Sequence, residues 1–324
     1  MSLLTLVQGL AARGHRQTVV CPVGSELAKR AAAKGFPVSQ VIPRDADIVH
    51  SHSGRAHNEA VRATLGAKTR RVTTRHVSFE PKHRLIHRLK YGQTCDGIIA
   101  VSDAVRQVLE DTGIPKAMIR VIHTGIEIPP RAPSLDERTH ARAKYGLGKD
   151  DFSIGHLGAF TREKGQDVAV AAARILETSL PQARMLLAGD GPERESLKAD
   201  APATVQFPGF VSDRETFYAA LDLFIMPSRS EAWGLSALEA MAHAVPVIAS
   251  NVGGLREIIQ SGKCGWLVSP DDAPVLASAI QRAANLPPAT LAAMGTTARV
   301  CAAEFSINAM VEQTEAFYGE LLEQ

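Results

Sequence analysis

The chain has 324 residues, of which 45% are hydrophobic, 5% aromatic and 22% charged; this suits two α/β domains with largely aliphatic cores, at a charge density ordinary for a soluble enzyme. Its four scattered cysteines, Cys21, Cys95, Cys264 and Cys301, form no CxxC pair, which argues against a disulfide frame or a zinc site. No apolar run reaches the roughly 18 residues that span a membrane.

The net charge of +2 conceals an asymmetry. Residues 1–150 carry 24 Lys and Arg against 13 Asp and Glu, a balance of +11; residues 151–324 carry 12 against 21, a balance of −9. A basic half points to an anionic partner, and nucleic acid, an anionic membrane surface and a phosphorylated acceptor all fit the charge, with a solvated basic surface as the plainer alternative. The densest part runs from Arg62 to Lys90, with nine basic residues and one acid, Glu80. Its few aromatics argue against nucleic acid, which needs rings for base stacking.

Leu3 to Ala12 has helical spacing and Gly14 stops it. Without a basic start or a clear cleavage site, this opening is read as an amphipathic helix rather than a signal peptide. Strands are expected at Gln17 to Cys21, Ile48-Val49, Arg71 to Thr74, Gly97 to Val101 and Ile119 to Ile122. Ile126 to Arg138, with three prolines, is expected to be a linker. A second series of strands is expected at Ser153 to Leu157, Arg184 to Ala188, Val205-Gln206, Leu223 to Met226, Val245 to Ala249 and Trp266 to Val268. Short apolar strands alternating with amphipathic helices predict parallel sheets covered on both faces. Two such series predict an α/β protein of two Rossmann-like domains facing a cleft.

Three segments of the second half converge on phosphate and sugar binding. Gly158 to Gly165 joins a strand to a helix and sets Arg162 and Lys164 where an anion is favoured. Gly189-Asp-Gly-Pro192 ends another strand, and its glycines allow close approach of backbone to ligand. Glu231 and Glu239 bracket a helix N-terminus near Gly234. The first-turn amides of Gly234, Leu235 and Ser236, together with the helix dipole, form a diphosphate cradle. A carboxylate there suits the vicinal hydroxyls of a ribose or hexose. Taken singly, each segment has a plainer reading as a tight turn, a cap or a solvated glutamate.

Taken in order, the segments resemble the retaining glycosyltransferases of family 4 (glycosyl transferases group 1), which have the GT-B fold. The matching residues are Lys164-Gly165, Gly189-Asp-Gly-Pro192, Phe207-Pro-Gly-Phe-Val211, the Glu-x7-Glu stretch Glu231 to Glu239, and Pro246-Val-Ile-Ala-Ser-Asn-Val-Gly-Gly254. The resemblance implies that Lys164 contacts the donor diphosphate and Glu231 the transferred sugar. It implies that Trp233, Gly234 and Leu235 offer amides, that Glu239 holds the ribose, and that Val211 and Asp213 lie near the base. His76, in Thr73-Thr-Arg-His-Val-Ser78, resembles the family's active-site histidine. The implied reaction retains anomeric configuration and needs no metal and no cofactor, the nucleotide sugar being a substrate. The implied acceptor is a glycan or lipid-linked molecule of lipopolysaccharide or envelope polysaccharide synthesis, and the implied place is the cytoplasm, peripheral to the inner membrane face. His50 and His52 form a His-x-His pair that also occurs in the family without metal.

The family opens with a strand and a Gly-Gly loop before its first helix, whereas this chain begins within that helix. The first domain is therefore expected to be shortened, or the true start to lie upstream of Met1. Ala159 replaces a common Arg, Thr124 a common Asn and Ala244 a common Gly. The expected boundaries are 1–130 for the acceptor-side domain, 131–305 for the donor domain, and 306–324 for a helix packing back on the first. A non-catalytic nucleotide-sugar-binding protein and a sugar-nucleotide epimerase are the alternatives.

Overall fold

A computed structural model describes residues 2–77 and 83–324 of the chain; Ser78 and Glu80, named above, lie outside them. The chain divides into two compact units, Met1–Gly125 with Ile307–Gln324, and Ile126–Ser306.

The first unit runs α1 (Ser2–Ala12), β1 (Val19–Val20), α2 (Glu26–Ala33), β2 (Val38–Ser39), β3 (Ile48–Ser51), α3 (Gly54–Ala63), β4 (Arg70–Arg75), α4 (Arg84–Gly92), β5 (Gly97–Ala100), α5 (Asp103–Asp111) and β6 (Ile119–Val121). The second runs α6 (Leu135–Lys144), β7 (Phe152–Leu157), α7 (Gln166–Ser179), β8 (Ala183–Ala188), α8 (Arg194–Asp200), β9 (Val205–Gly209), α9 (Arg214–Ala219), β10 (Leu223–Met226), α10 (Leu235–Ala242), β11 (Val247–Ser250), α11 (Leu255–Ile258), β12 (Gly265–Val268), α12 (Ala273–Ala284) and α13 (Pro288–Ala303). The last helix, α14 (Ile307–Leu322), belongs to the first unit.

Serine starts many of these helices. The side chains of Ser25, Ser53, Ser102 and Ser134 each accept the N–H of the third helical residue, which satisfies a donor the helix cannot. At α6 the cap is a full capping box between Ser134 and Glu137. It places a helix from Leu135 onward, so the linker expected to reach Arg138 ends four residues earlier.

Among the described residues all strand pairs are parallel. In the first unit β3-β4-β5-β6 form one sheet, and β1 pairs with β2 in a separate two-stranded one. Its core packs Leu6 and Leu10 of α1 and Met310, Val311, Phe317 and Leu321 of α14 with Val72, Ile99 and Ile122. In the second unit the order is β12-β11-β10-β7-β8-β9. Both faces of β10 are buried: Leu223 and Ile225 join an aliphatic core with α7 and α12, while Phe224 faces Tyr218, ring centroids 5.8 Å apart. The expected aliphatic core is thus only half right. The few aromatics are concentrated, and Tyr218, Phe160, Phe217 and Phe224 are the largest fully buried side chains.

Candidate functional site

In a parallel sheet every strand delivers its following loop to the same edge, the usual place for a ligand. In the second unit the loops after β7 to β12 meet there and are stitched by backbone hydrogen bonds. Phe160 donates to Asp190 O (2.9 Å), Gly189 to Gly209 O (2.8 Å), Arg229 to Glu163 O (2.8 Å) and Gly254 to Glu231 O (3.1 Å). Two glycines make this possible. Gly253 sits at φ +47°, and a Cβ there would lie 1.8 Å from the Glu231 carbonyl oxygen; Gly234, at φ +101°, would press one 2.6 Å from Leu255 Cδ2. The Gly-Gly pair ending the Pro246 segment is therefore the seat on which the Glu231 loop rests.

Lys164 and Glu231, 67 residues apart in sequence, form an ion pair at 2.5 Å between Nζ and Oε2. Both are mostly buried, so solvent screens the pair weakly. Gly234 caps α10, whose first hydrogen bonds run from the N–H groups of Ala237 and Leu238 to the Gly234 carbonyl. The amides of Leu235 and Ser236 precede that ladder and are oriented with the helix dipole. Glu239 lies further along the helix. Its Oε1 accepts from Arg214 (2.5 Å) and its Oε2 from Tyr218 Oη (2.8 Å). Burial first, and then the Glu239 charge, push the Tyr218 phenol well above its usual range, so it stays a hydrogen-bond donor. Each carboxylate oxygen retains lone-pair capacity for a further donor.

Other expected residues take different places. Trp233 is buried, its ring edge-on to Phe305 at 5.0 Å. Val211 is buried just beyond β9. The Arg162 side chain is exposed, and its carbonyl accepts from Arg229 (2.6 Å). Asp213 serves as the N-cap of α9: Oδ1 accepts the Thr216 N–H (3.1 Å) and Oδ2 pairs with Lys144 (3.1 Å). The Thr216 hydrogen bonds, then Lys144, lower its pKa. Its neighbour Arg214, which sequence reasoning missed, is the side chain that reaches Glu239.

Arg229 was also missed. Its guanidinium grips Asp167 through two bonds (2.9 and 2.7 Å) and Asp271 through Nε (2.5 Å). The Asp167 hydrogen bonds, more than any other contact, raise its pKa. Asp271 holds a left-handed φ of +57°, a conformation that costs a side-chain-bearing residue energy. Arg229 thus fastens the Lys164 turn, α7 and the loop before α12 at one point.

In the first unit His76 follows β4, and its Nε2 lies 3.3 Å from His52 Nδ1. His50 bonds Tyr318 Oη (2.5 Å) and Thr74 Oγ1 (2.6 Å). These histidines share a pocket with Thr74, Thr124 and Met310. Burial lowers all three pKa values, with neighbouring histidine charge adding to the shift at His50 and His52; His52 is pushed down to about 3. Both ring nitrogens of His50 are committed to hydroxyls. Among the described residues no group of three or more His, Cys, Asp or Glu is placed to hold a metal ion, and no helix is long and apolar enough to cross a membrane.

A cation, two glutamates and a helix N-terminus gather at the carboxyl edge of a parallel sheet, and the class this defines is a Rossmann-like protein, in which that edge favours an anion. The chain belongs to the glycosyl transferases group 1 family, whose sequence model matches residues 137–300; that of glycosyltransferase family 4 matches residues 1–128. It is 34% identical over 197 residues to the D-inositol 3-phosphate glycosyltransferases of Mycobacterium bovis and Mycobacterium tuberculosis, a match covering 58% of this chain and 41% of theirs. The chain therefore spans about two fifths of the length of these curated relatives. Its fold is that of Anabaena Alr3699/HepE in complex with UDP and glucose (TM-score 0.86, 22% identity, 98% of this chain and 95% of that one). It is also that of a glycosyltransferase from Rickettsia africae ESF-5 (0.86, 22%, 100% and 94%). WaaG, a glycosyltransferase involved in lipopolysaccharide biosynthesis, is similar as well (0.72, 20%, 98% and 94%). The likeness is one of fold, and the fold is GT-B, with two Rossmann-like domains.

Proposed function

We propose that this chain is a glycosyltransferase that moves a sugar from a nucleoside-diphosphate sugar to a glycan or lipid-linked acceptor. In this reading configuration is retained, no metal ion takes part, and the product serves lipopolysaccharide or envelope polysaccharide synthesis. The observation that carries it is the Lys164–Glu231 pair beside the N-terminus of α10. Lys164 and the amides of Gly234, Leu235 and Ser236 meet the charge that grows on the departing diphosphate as the anomeric C–O bond breaks. Glu231 accepts from hydroxyls of the transferred sugar, and Glu239, held by Arg214 and Tyr218, from those of the ribose. Arg162 and Gly189 line the donor turns, while Val211 and Asp213 flank the base. The acceptor hydroxyl attacks the face the diphosphate leaves, and its proton passes to the departing phosphate oxygen. His76, held neutral by burial, completes the acceptor side. HepE, which binds UDP and glucose in its own structure, and WaaG support the donor class and the pathway.

The test is a panel of nucleoside-diphosphate sugars, read first by thermal shift and then by transfer or slow hydrolysis. One donor is expected to raise the melting temperature and be turned over. Lys164→Ala is expected to lower turnover by roughly two to three orders of magnitude, and Glu231→Ala to abolish it. Full activity in either variant would overturn the site assignment, and binding without turnover would make the chain a binding protein.

A further inference from the structure

Strand β3 runs into His50-Ser-His52 and β4 into Thr74-Arg-His76. Side chains two apart on a strand share a face, and the register pairs His50 with Val72 and Ser51 with Thr73. His50, His52, Thr74 and His76 therefore stand on the same face of the sheet, and the three rings form a row. His52 lies in the middle, its centroid 4.2 Å from that of His50 and 5.6 Å from that of His76. The far end of the row is held, because His50 is bonded at both nitrogens, to Tyr318 and to Thr74. At the near end a single hydrogen bond of 3.3 Å joins His52 Nδ1 to His76 Nε2. Burial keeps the rings neutral, so this bond holds one proton and either ring can supply it. In a neutral imidazole one nitrogen donates and the other accepts, and in water the proton favours Nε2. If His76 Nε2–H donates to His52 Nδ1, both rings keep that favoured form. If His52 Nδ1–H donates instead, both must take the other one.

We propose that His52 is a positioning residue: it accepts the Nε2–H of His76 and so holds that ring in place with Nδ1 unprotonated, an acceptor for a substrate hydroxyl. The bond at one ring nitrogen sets the character of the other, and His76 lines the pocket into which that acceptor is offered. A carboxylate meeting Nδ1 would find no donor there, so the group His76 selects is a hydroxyl. This role rests on the proposed substrate-facing place of His76, whereas the position of the proton can be read without any substrate.

The experiment is nitrogen NMR of the full chain, isotopically labelled at histidine, at neutral pH and without nucleotide sugar. The His76 signals are assigned by their loss in His76→Gln; protonated and unprotonated ring nitrogens are well separated in shift. In the wild type, Nε2 of His76 is expected to be of the protonated kind and Nδ1 of the unprotonated kind. His52→Ala is expected to admit the other tautomer, moving the two shifts toward each other, and to lower kcat roughly five- to tenfold, the effect of one lost hydrogen bond, with KM for the donor little changed. His52→Asn, whose amide oxygen takes the place of Nδ1, is expected to restore the wild-type shifts and most of the rate. A protonated Nδ1 in the wild type overturns the proposal. So does a His76 tautomer indifferent to His52→Ala, or an Asn variant that regains the shifts and stays as slow as the Ala one. Should His52→Ala unfold, the wild-type spectrum and His52→Asn decide. Full activity in His76→Gln would overturn the substrate-facing place of His76, and the spectrum would still judge the proton.

Discussion

Ala244 shows what one atom costs. It stands where the family resemblance leads one to expect glycine, and its φ is +60°, a left-handed conformation in which Cβ crowds the following carbonyl. Ala244→Gly relieves that crowding at the expense of a more flexible unfolded chain, leaving a net gain of about 0.5–1 kcal/mol. The expected outcome is a melting temperature raised by a degree or more; a lower one would show that the backbone is unstrained there. At this scale the places of the proposed donor residues were legible. Lys164, Glu231 and Glu239 lie in short local motifs whose spacing fixes their position on a strand end or helix start. Arg229, Arg214 and Tyr218 were not legible, because their partners stand 62, 25 and 21 residues away. Only the folded sheet edge brings them together.

At the level of the element, α9 has one side chain with a clear duty. Tyr218 is buried and spends its hydroxyl on Glu239. Tyr218→Phe keeps the packing and removes that bond, leaving the carboxylate tied by Arg214 alone. If Glu239 holds the ribose, the variant's KM for the donor is expected to rise about five- to tenfold, the equivalent of one ordinary hydrogen bond of roughly 1 to 1.4 kcal/mol net, with kcat little changed. An equal fall in kcat with KM constant would assign Tyr218 to the chemical step instead. Most strands were readable to within two residues, because short β-branched and aliphatic runs between turns have few other uses. Val38–Ser39 was not, since two residues carry no periodicity. Neither was the start of α6: the prolines before Ser134 outweighed the capping box that begins there.

For the molecule as a whole, acid should be the weak direction. His50, His52, His76, His87 and His156 all have pKa values lowered from 6.5, with burial the largest cause in each; His52 falls to about 3, His87 and His156 to about 4. A depressed folded-state pKa means that the unfolded chain binds more protons below 6.5. The stabilisation from these groups is thus complete above 6.5 and is lost as pH falls toward the folded values. The melting temperature is expected to drop steadily between about pH 6.5 and pH 4.5, above the range where the carboxylates titrate. His52→Gln should flatten that slope, and an unchanged slope would refute this account. The two-domain α/β plan was legible in the alternation of elements. No local pattern records the packing of α14 on the first unit; the family resemblance, not the periodicity of the residues, carried that expectation.

That last helix has a consequence for biosynthesis. Tyr318 binds His50, Glu315 pairs with Arg13, and Met310, Val311, Phe317 and Leu321 fill the same core as Leu6 and Leu10. Made in order on a ribosome, the first unit reaches daylight early but lacks one wall until α14 emerges. The second unit is complete before that wall arrives and can close while its elder neighbour waits with apolar surface uncovered. A chain stalled just before α14 would therefore hold a finished second unit joined to an open first one, a natural client for a chaperone.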